Sequence, residues 1–324
     1  MGQKLSEIEI NKLRQTMGTL PESQPKRSDE IFVGVEGIRV KLIDYPHNPY
    51  RAIFSIITST WAGRNKWWNR WENATVEGRI KVVTAALEGK TLPQALEAPS
   101  FTFQIEGLSR AAYDQLARAR QSGIGSVGMR DNSHLDGALR IPSDLEKILP
   151  MIEKWWHETK DLYEFIVSSG KSSWQSARNI LPMGLCWRFS WTMNYRSLKE
   201  ICAQRLSFCE EGDTCFTVWA MWATLWRKFP LLASYCRPRC DFMKRCYYSD
   251  IYSLSNLFGA LFAPCQRWLV KEYTATFKNG SAADPKEINE QLLKQYHIGV
   301  PSPDVWENFV KVGIAKDRKY FEAK

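Results

Sequence analysis

With 324 residues, 44% of them hydrophobic and 24% charged, the chain has an ordinary globular composition and is long enough for one large domain or two smaller ones. Its formal net charge of +9 favours anionic partners without separating nucleic acid from nucleotides. The polar opening Met1-Gly-Gln-Lys-Leu-Ser reads as no secretory signal, and the most apolar helical stretch, 215–226, is too short to span a bilayer, so a cytoplasmic protein with reduced cysteines and no membrane association is expected.

Residues 1–30 are polar, carry Pro21, Pro25 and a Lys-Arg pair, and read as a loose arm. Alternating Ile38, Val40 and Leu42 predict a strand or hairpin over 31–43, followed by a turn at 44–49. The tryptophan-rich segment 61–71 predicts an amphipathic helix, whose rings serve core and interface packing or, less simply, base stacking. Phe101-Thr-Phe-Gln-Ile105 alternates like a strand and leads through Gly107 into a helix over 109–121 with Ser109 as its N-cap.

Ser143 is expected to open a long helix running toward Ser169, before a break at Gly170-Lys-Ser-Ser and a short element over 174–181 ended by Pro182. Two helices follow, over 198–209 and 215–228. Beyond Cys236, residues 250–275 read as helical, 284–295 as a polar helix and the charged end 316–324 as solvated. Strands early and helices late predict an α+β fold, a small mixed or antiparallel sheet with long helices.

Two clusters stand out. Gln115-Leu-Ala-Arg-Ala-Arg120 and Trp191-Thr-Met-Asn-Tyr-Arg-Ser-Leu198, with Arg205 beyond, put guanidinium groups beside amide side chains on segments that read as helical. Arginine's rigid fork pairs with oxyanions and stacks on rings, so the clusters suit phosphates and a planar heterocycle. Gly123-Ile-Gly-Ser-Val-Gly128 matches G-x-G-x-x-G but follows a helix rather than a strand, which argues against a Rossmann site and leaves a glycine loop able to approach an anion. Cys236, Cys240 and Cys246 match no usual zinc or iron–sulfur spacing, so no metal is expected. The four histidines are scattered without a partnered nucleophile, which leaves the difficult chemistry to a cofactor.

Several of these blocks, in order and without gaps, resemble the flavin-dependent thymidylate synthases over roughly residues 35–235. Phe101-Thr-Phe, then Ser109-Arg110, then Gln115-x2-Arg118-x-Arg120, is similar to the centre of that family, whose signature is R-H-R, seven residues, then serine and G-R-Y. Ala177-Arg-Asn-Ile-Leu-Pro182, Trp191-Thr-x-Asn194-x-Arg196-Ser-Leu198 and Arg205 resemble its second half. The resemblance implies an α+β catalytic domain over 31–240, with 1–30 as an N-terminal arm and 241–324 as a helical C-terminal extension.

It further implies FAD at Arg118, Arg120, Asn194 and Arg196, with Glu97 as the acidic residue near the flavin. A deoxypyrimidine monophosphate falls to Gln115, Arg130, Arg178 and Arg205, with Arg205 as the catalytic candidate. NADPH as reductant, methylenetetrahydrofolate as carbon donor and a homotetramer with shared active sites complete the expectation. The simplest reaction is dUMP to dTMP; dCMP methylation and deoxypyrimidine hydroxymethylation are the alternatives, and nucleic-acid binding without catalysis is the rival from another class.

The chain departs from the signature. Ala119 replaces the central histidine, Gly125 an asparagine, Gly128 the serine, Met129 the glycine and Asp131 the tyrosine, while Glu200 stands where asparagine commonly contacts flavin. The phosphate-directed arginines persist and side chains near the pyrimidine differ. Asp131 offers an acceptor to a cytosine amino group, and a site built for one base rejects the other through unpaired buried groups.

Overall fold

A computed structural model describes residues 31–35, 37–60, 68–120, 122–128, 138–141, 143–170, 173–206, 212–239 and 303–324. The arm 1–30, the helices expected over 250–275 and 284–295, Arg130, Asp131, Cys240 and Cys246 lie outside the described residues.

Five strands form one antiparallel sheet in the order β1 (Ile31–Val35), β2 (Ile38–Asp44), β3 (Ser100–Ser109), β5 (Cys186–Asn194) and β4 (Ser122–Ser126). Successive side chains of a strand point to opposite faces. Ile38, Val40 and Leu42, Phe101, Phe103 and Ile105, and Trp187, Phe189, Trp191 and Met193 accordingly line one buried face. The opposite face carries Arg39 and Lys41, Gln104 and Glu106, and Arg188, Ser190 and Thr192. Gly107 has φ +90°, and a Cβ there would lie 2.4 Å from the Gly37 carbonyl oxygen, so only glycine lets the β3 bulge pass the β1–β2 turn.

The described helices are α1 (Pro49–Ser59), α2 (Arg70–Asn73), α3 (Val76–Leu87), α4 (Arg110–Leu116), α5 (Leu149–Ser168), α6 (Trp174–Ala177), α7 (Tyr195–Arg205), α8 (Gly212–Lys228), α9 (Pro230–Ser234) and α10 (Pro303–Glu322), of which α8, α4 and α7 pack most closely on the strands. Every residue of α8 from Asp213 to Trp226 is buried, as befits a helix with apolar groups all round. It packs on β1, β2 and β3 on one side and on α9 on another. Its N-terminus is fixed by Asp213, which accepts the Ser109 N–H at 2.8 Å and binds the Arg140 guanidinium through Nε at 3.1 Å and Nη2 at 2.6 Å.

The strand–turn–strand over 31–43 and the α4 cap are as the sequence predicts: the Ser109 hydroxyl accepts the Ala112 N–H at 3.2 Å. The fold class is α+β, although β4 and β5 intervene among the helices. Other expectations are corrected. The Trp191–Leu198 block is not helical throughout, because alternation from Trp187 to Met193 holds the chain in β5 until Asn194 caps α7. The Gln115–Arg120 block leaves the helix at Leu116, where Ala117 ends it. The glycine segment is no phosphate loop over 122–126 but an edge strand paired to β5.

Ser143 opens a 3-10 turn, Ser143–Ile148, and the α-helix starts only at Leu149. Pro150 lies in its first turn, where a missing N–H costs nothing. The α7 helix begins at Tyr195 rather than Leu198, and helices α1 and α3 were not anticipated. The charged end is not solvated throughout: α10 buries Phe309, Asp317 and Phe321, which recur with Gly313 at intervals of four on one face. In the tryptophan-rich segment, Trp71 is buried and stacks near Phe321, Trp68 is exposed and residues 61–67 lie outside the described set.

Candidate active site

The sheet register gathers residues that lie far apart in sequence. Ser100 of β3 pairs with Asn194 of β5, and Ser122 of β4 pairs with the adjacent Met193. Glu97 precedes Ser100, Arg120 precedes Ser122 and Arg196 follows Asn194, so all three leave from the same end of the sheet. At that end a 3-10 turn, Pro93–Glu97, carries Glu97 to the start of α7. There Arg196 Nη1 binds Glu97 Oε1 at 2.6 Å, with both side chains part exposed.

The junction of β5 and α7 is fixed by its own polar groups. Asn194 Oδ1 accepts the Ser197 N–H at 2.9 Å, the N-cap interaction that satisfies a free helix donor. The Tyr195 N–H donates to Pro99 O at 2.8 Å, and the Tyr195 hydroxyl donates to Leu232 O at 2.8 Å. Glu200, one turn further, takes Gln204 Nε2 at 2.8 Å and Arg239 Nη2 at 3.3 Å, so it is engaged with its own surroundings.

The turn between α4 and β4 supplies the other two guanidinium groups. The Ala119 N–H donates to Leu116 O at 3.0 Å, and the Ser122 hydroxyl donates to Ala119 O at 3.1 Å. Ala119 packs against the core, while Arg118 and Arg120 on either side of it are exposed. Alternation about a pinned alanine therefore turns both arginines outward. Gln115 is half-buried near the end of α4.

The remaining residues lie elsewhere. Arg178 is half-buried in the 3-10 turn Arg178–Ile180. That segment leads to the opposite end of β5, where Leu185 O and Met183 O accept the Arg110 and Ala111 N–H groups. Arg205 closes α7, about 15 Å along the helix axis from Tyr195 at 1.5 Å per residue. One chain thus brings Glu97, Arg118, Arg120, Asn194 and Arg196 to one sheet end and does not bring Arg178 or Arg205 there.

The open face of the sheet forms a cleft of about 500 Å³, bordered by Arg39, Lys41, Glu106, Arg188 and Gly125. Gly125 lines it, and a Cβ there would meet nothing within 4 Å. This cationic face is not among the features that the sequence motifs single out. Its signal is the polar half of the alternation, which in β2 and β3 accompanies the apolar half that predicts those strands and in β5 runs through Arg188, Ser190 and Thr192.

Cys186, at the far end of β5, is half-buried, and burial first, then Asp213, pushes its thiol up against the pull of Arg140. Cys202, Cys215 and Cys236 are buried thiols. His47 and His157 are exposed. Among the described residues no group of histidine, cysteine and acidic side chains has a metal-binding arrangement, and no helix is long and apolar enough to cross a membrane. What the sheet end does offer is several outward guanidinium groups, one of them held by a carboxylate, suited to phosphate oxygens.

Comparison with known proteins gives this geometry a context. Residues 41–231, more than half of the chain, match the family model described as thymidylate synthase complementing protein. The flavin-dependent thymidylate synthase of Pyrococcus furiosus is 28% identical over 207 residues, covering 60% of this chain and 79% of that protein. That of Thermococcus onnurineus is 29% identical over 189 residues, covering 55% and 74%. That of Sulfurisphaera tokodaii is 28% identical over 208 residues, covering 63% and 79%. A crystal structure of thymidylate synthase X from Helicobacter pylori with FAD and dUMP is similar at 18% identity and a TM-score of 0.48, covering 61% of this chain and 97% of that one.

Proposed function

The chain belongs to the thymidylate synthase complementing protein family, and from that premise we propose that it transfers a one-carbon unit from methylenetetrahydrofolate to C5 of a deoxypyrimidine monophosphate. In the simplest case dUMP becomes dTMP, with FAD bound to the protein, NADPH as reductant, and tetrahydrofolate and NADP⁺ as the other products. The observation that carries this reading is the convergence of Glu97, Arg118, Arg120, Asn194 and Arg196 at one end of the sheet, made by register alone.

The residues fit FAD. Its pyrophosphate needs clustered cationic donors open to solvent, and Arg118, Arg120 and Arg196 are such donors. FAD, when bound, supplies the redox chemistry that no side chain here can. Glu97 fixes the rotamer of Arg196 by their ion pair, and Asn194 fixes the backbone of the α7 start. Gln115, Arg130, Arg178 and Arg205 hold the nucleotide's phosphate or base, with Arg205 the one assigned to catalysis. Orientation of the pyrimidine, rather than a covalent protein nucleophile, is then the chain's main contribution.

Arg178 and Arg205 point to an assembly. Because one chain leaves them away from the flavin corner, a second copy bringing its own arginines to that corner completes a site, which supports a homotetramer with shared active sites. Incubating the protein with FAD, NADPH, methylenetetrahydrofolate and either dUMP or dCMP tests the reading. Mass spectrometry of the nucleotide is expected to show addition of a methyl group to dUMP. A gain on dCMP alone moves the base to cytosine, and no mass change with either base overturns the proposal.

A further inference from the structure

The family match ends at residue 231, yet a helix more than seventy residues later is built into the same core. Helix α10 lies against α9 closely enough that a Cβ on Gly313 would come within 2.7 Å of Leu231 Cα. Its Phe321 ring stacks on Tyr50 at 4.6 Å. Its final carbonyls are taken by α1–α3 and the residues flanking them: Asn48 Nδ2 donates to Tyr320 O at 2.8 Å, Trp71 Nε1 to Ala323 O at 2.9 Å, and buried Arg79 to Phe321 O and Ala323 O. At its centre Asp317 is 1% exposed, and its Oδ2 accepts both the Tyr50 hydroxyl and, at 2.9 Å, the Leu231 N–H.

That last contact leads to the flavin corner. The residue after Leu231 presents its carbonyl to the Tyr195 hydroxyl, and Tyr195 is fully buried between Asn194 and Arg196. We propose that α10 is a strap that positions the Asn194–Arg196 corner through Leu231, Leu232 and Tyr195, and that gain or loss of a proton at Asp317 sets how firmly the strap is seated. Its bearing on activity rests on the flavin reading above; its bearing on the corner's order does not.

The groups around Asp317 leave it as the one to titrate near neutrality. Tyr50 faces it from α1, Tyr195 stands beyond Tyr50 on α7, and Lys316, Lys319 and Tyr320 belong to its own helix. The α9 sequence Pro-Leu-Leu-Ala-Ser contributes only backbone, and α3 contributes Arg79 and Glu77, the latter paired with Arg318 of α10. Burial pushes Tyr50 and Tyr195 up and Tyr320 up to about 12, so all three stay neutral. Burial likewise pushes the Asp317 carboxyl up to about 7, opposed by the Tyr50 hydroxyl, the Leu231 N–H, Lys319 and Lys316. The neutral acid keeps both donors on Oδ2 without placing a charge in the core; the carboxylate bears the desolvation penalty.

Hydrogen exchange of the full chain at pH 6 and pH 8, corrected for intrinsic base catalysis, reads the coupling. In the wild type, protection of residues 303–322 and of 194–200 is expected to fall together by about tenfold, the ratio a carboxyl titrating near 7 gives over that interval. In Asp317→Asn both segments are expected to lose that pH dependence. In Tyr195→Phe the strap keeps its wild-type behaviour while 194–200 loses protection at both pH values. The wild type and Tyr195→Phe suffice if Asp317→Asn does not fold. Loosening of 303–322 with 194–200 unchanged, or no pH effect on either in the wild type, overturns the proposal. FAD titration in parallel separates the two readings: no flavin binding at either pH overturns the flavin site, and the exchange result still decides the strap.

Discussion

Arg196 and Glu97 stand ninety-nine positions apart in sequence and 2.6 Å apart in space. The contact is part exposed, so its worth to stability is small, and its meaning lies in where it aims the guanidinium. Arg196→Ala is expected to weaken FAD binding roughly 10–100-fold, the loss of one charge-assisted contact of about 1.5–3 kcal/mol. Unfolding stability should move by less than about 1 kcal/mol. Flavin fluorescence titration beside urea unfolding checks both halves, and an unchanged flavin affinity would remove Arg196 from the site.

Ala119 stands where the family carries histidine, and its methyl group packs against the core while its neighbours face out. Ala119→His therefore has to fit an imidazole into this part-buried contact with the core or turn the loop over. A loss of about 1–3 kcal/mol is expected, read by urea unfolding. A variant as stable as the wild type would show that the turn re-forms with position 119 outward.

Asp213 is the acceptor that joins the start of α8 to Ser109 and Arg140. Asp213→Ala leaves a part-buried guanidinium without its carboxylate and a buried N–H without an acceptor. With Arg140 retaining a quarter of its side-chain exposure, the expected loss is roughly 2–4 kcal/mol. Pairing it with Arg140→Met should cost less than the two single losses added, because the stranded charge is gone. Additive losses would show that the pair does not act as a unit.

Asp317 fixes the direction of a pH effect on stability. Its carboxyl lies at about 7 in the folded chain against an ordinary 3.8, so the folded state binds the proton more tightly. Its contribution is fully present below about pH 4, declines as pH rises and is lost above about 7, a span on the order of 4 kcal/mol at most. The wild type minus Asp317→Asn difference in unfolding free energy should follow that decline between pH 5 and 8. A difference that is flat, or that grows with pH, contradicts it.

Much of this architecture could be read from local pattern. β2 and β3 alternate cleanly, and Ser109 announces α4 with a hydroxyl three residues before the N–H that it caps. The corner formed by Glu97, Asn194 and Arg196, where we propose that flavin binds, was legible only through resemblance, since the Glu97–Arg196 contact depends on pairing Ser100 with Asn194, and no local pattern carries register between distant strands. β5 is hard to read because its alternation runs without a break into α7; the boundary is Asn194, whose amide works as a cap. The end of the chain misled through composition. Charged side chains make up most of 316–324, but the buried face of α10 needs only Phe309, Gly313, Asp317 and Phe321, one residue in four, and a carboxyl among them disguises it.

Asn48, Trp71 and Arg79 find hydrogen-bond acceptors on residues 320–323. During synthesis those donors, and the Tyr50 ring that Phe321 covers, wait for the helix that completes them. A nascent chain stalled short of position 320 leaves Arg79 charged and without those acceptors beside an uncovered aromatic surface. Closure of this part of the core is thus a late, long-range event, of the kind that slows folding and exposes a chain to aggregation. Emergence of residues 320–323, rather than of the family-matched segment, sets when this part of the core can close.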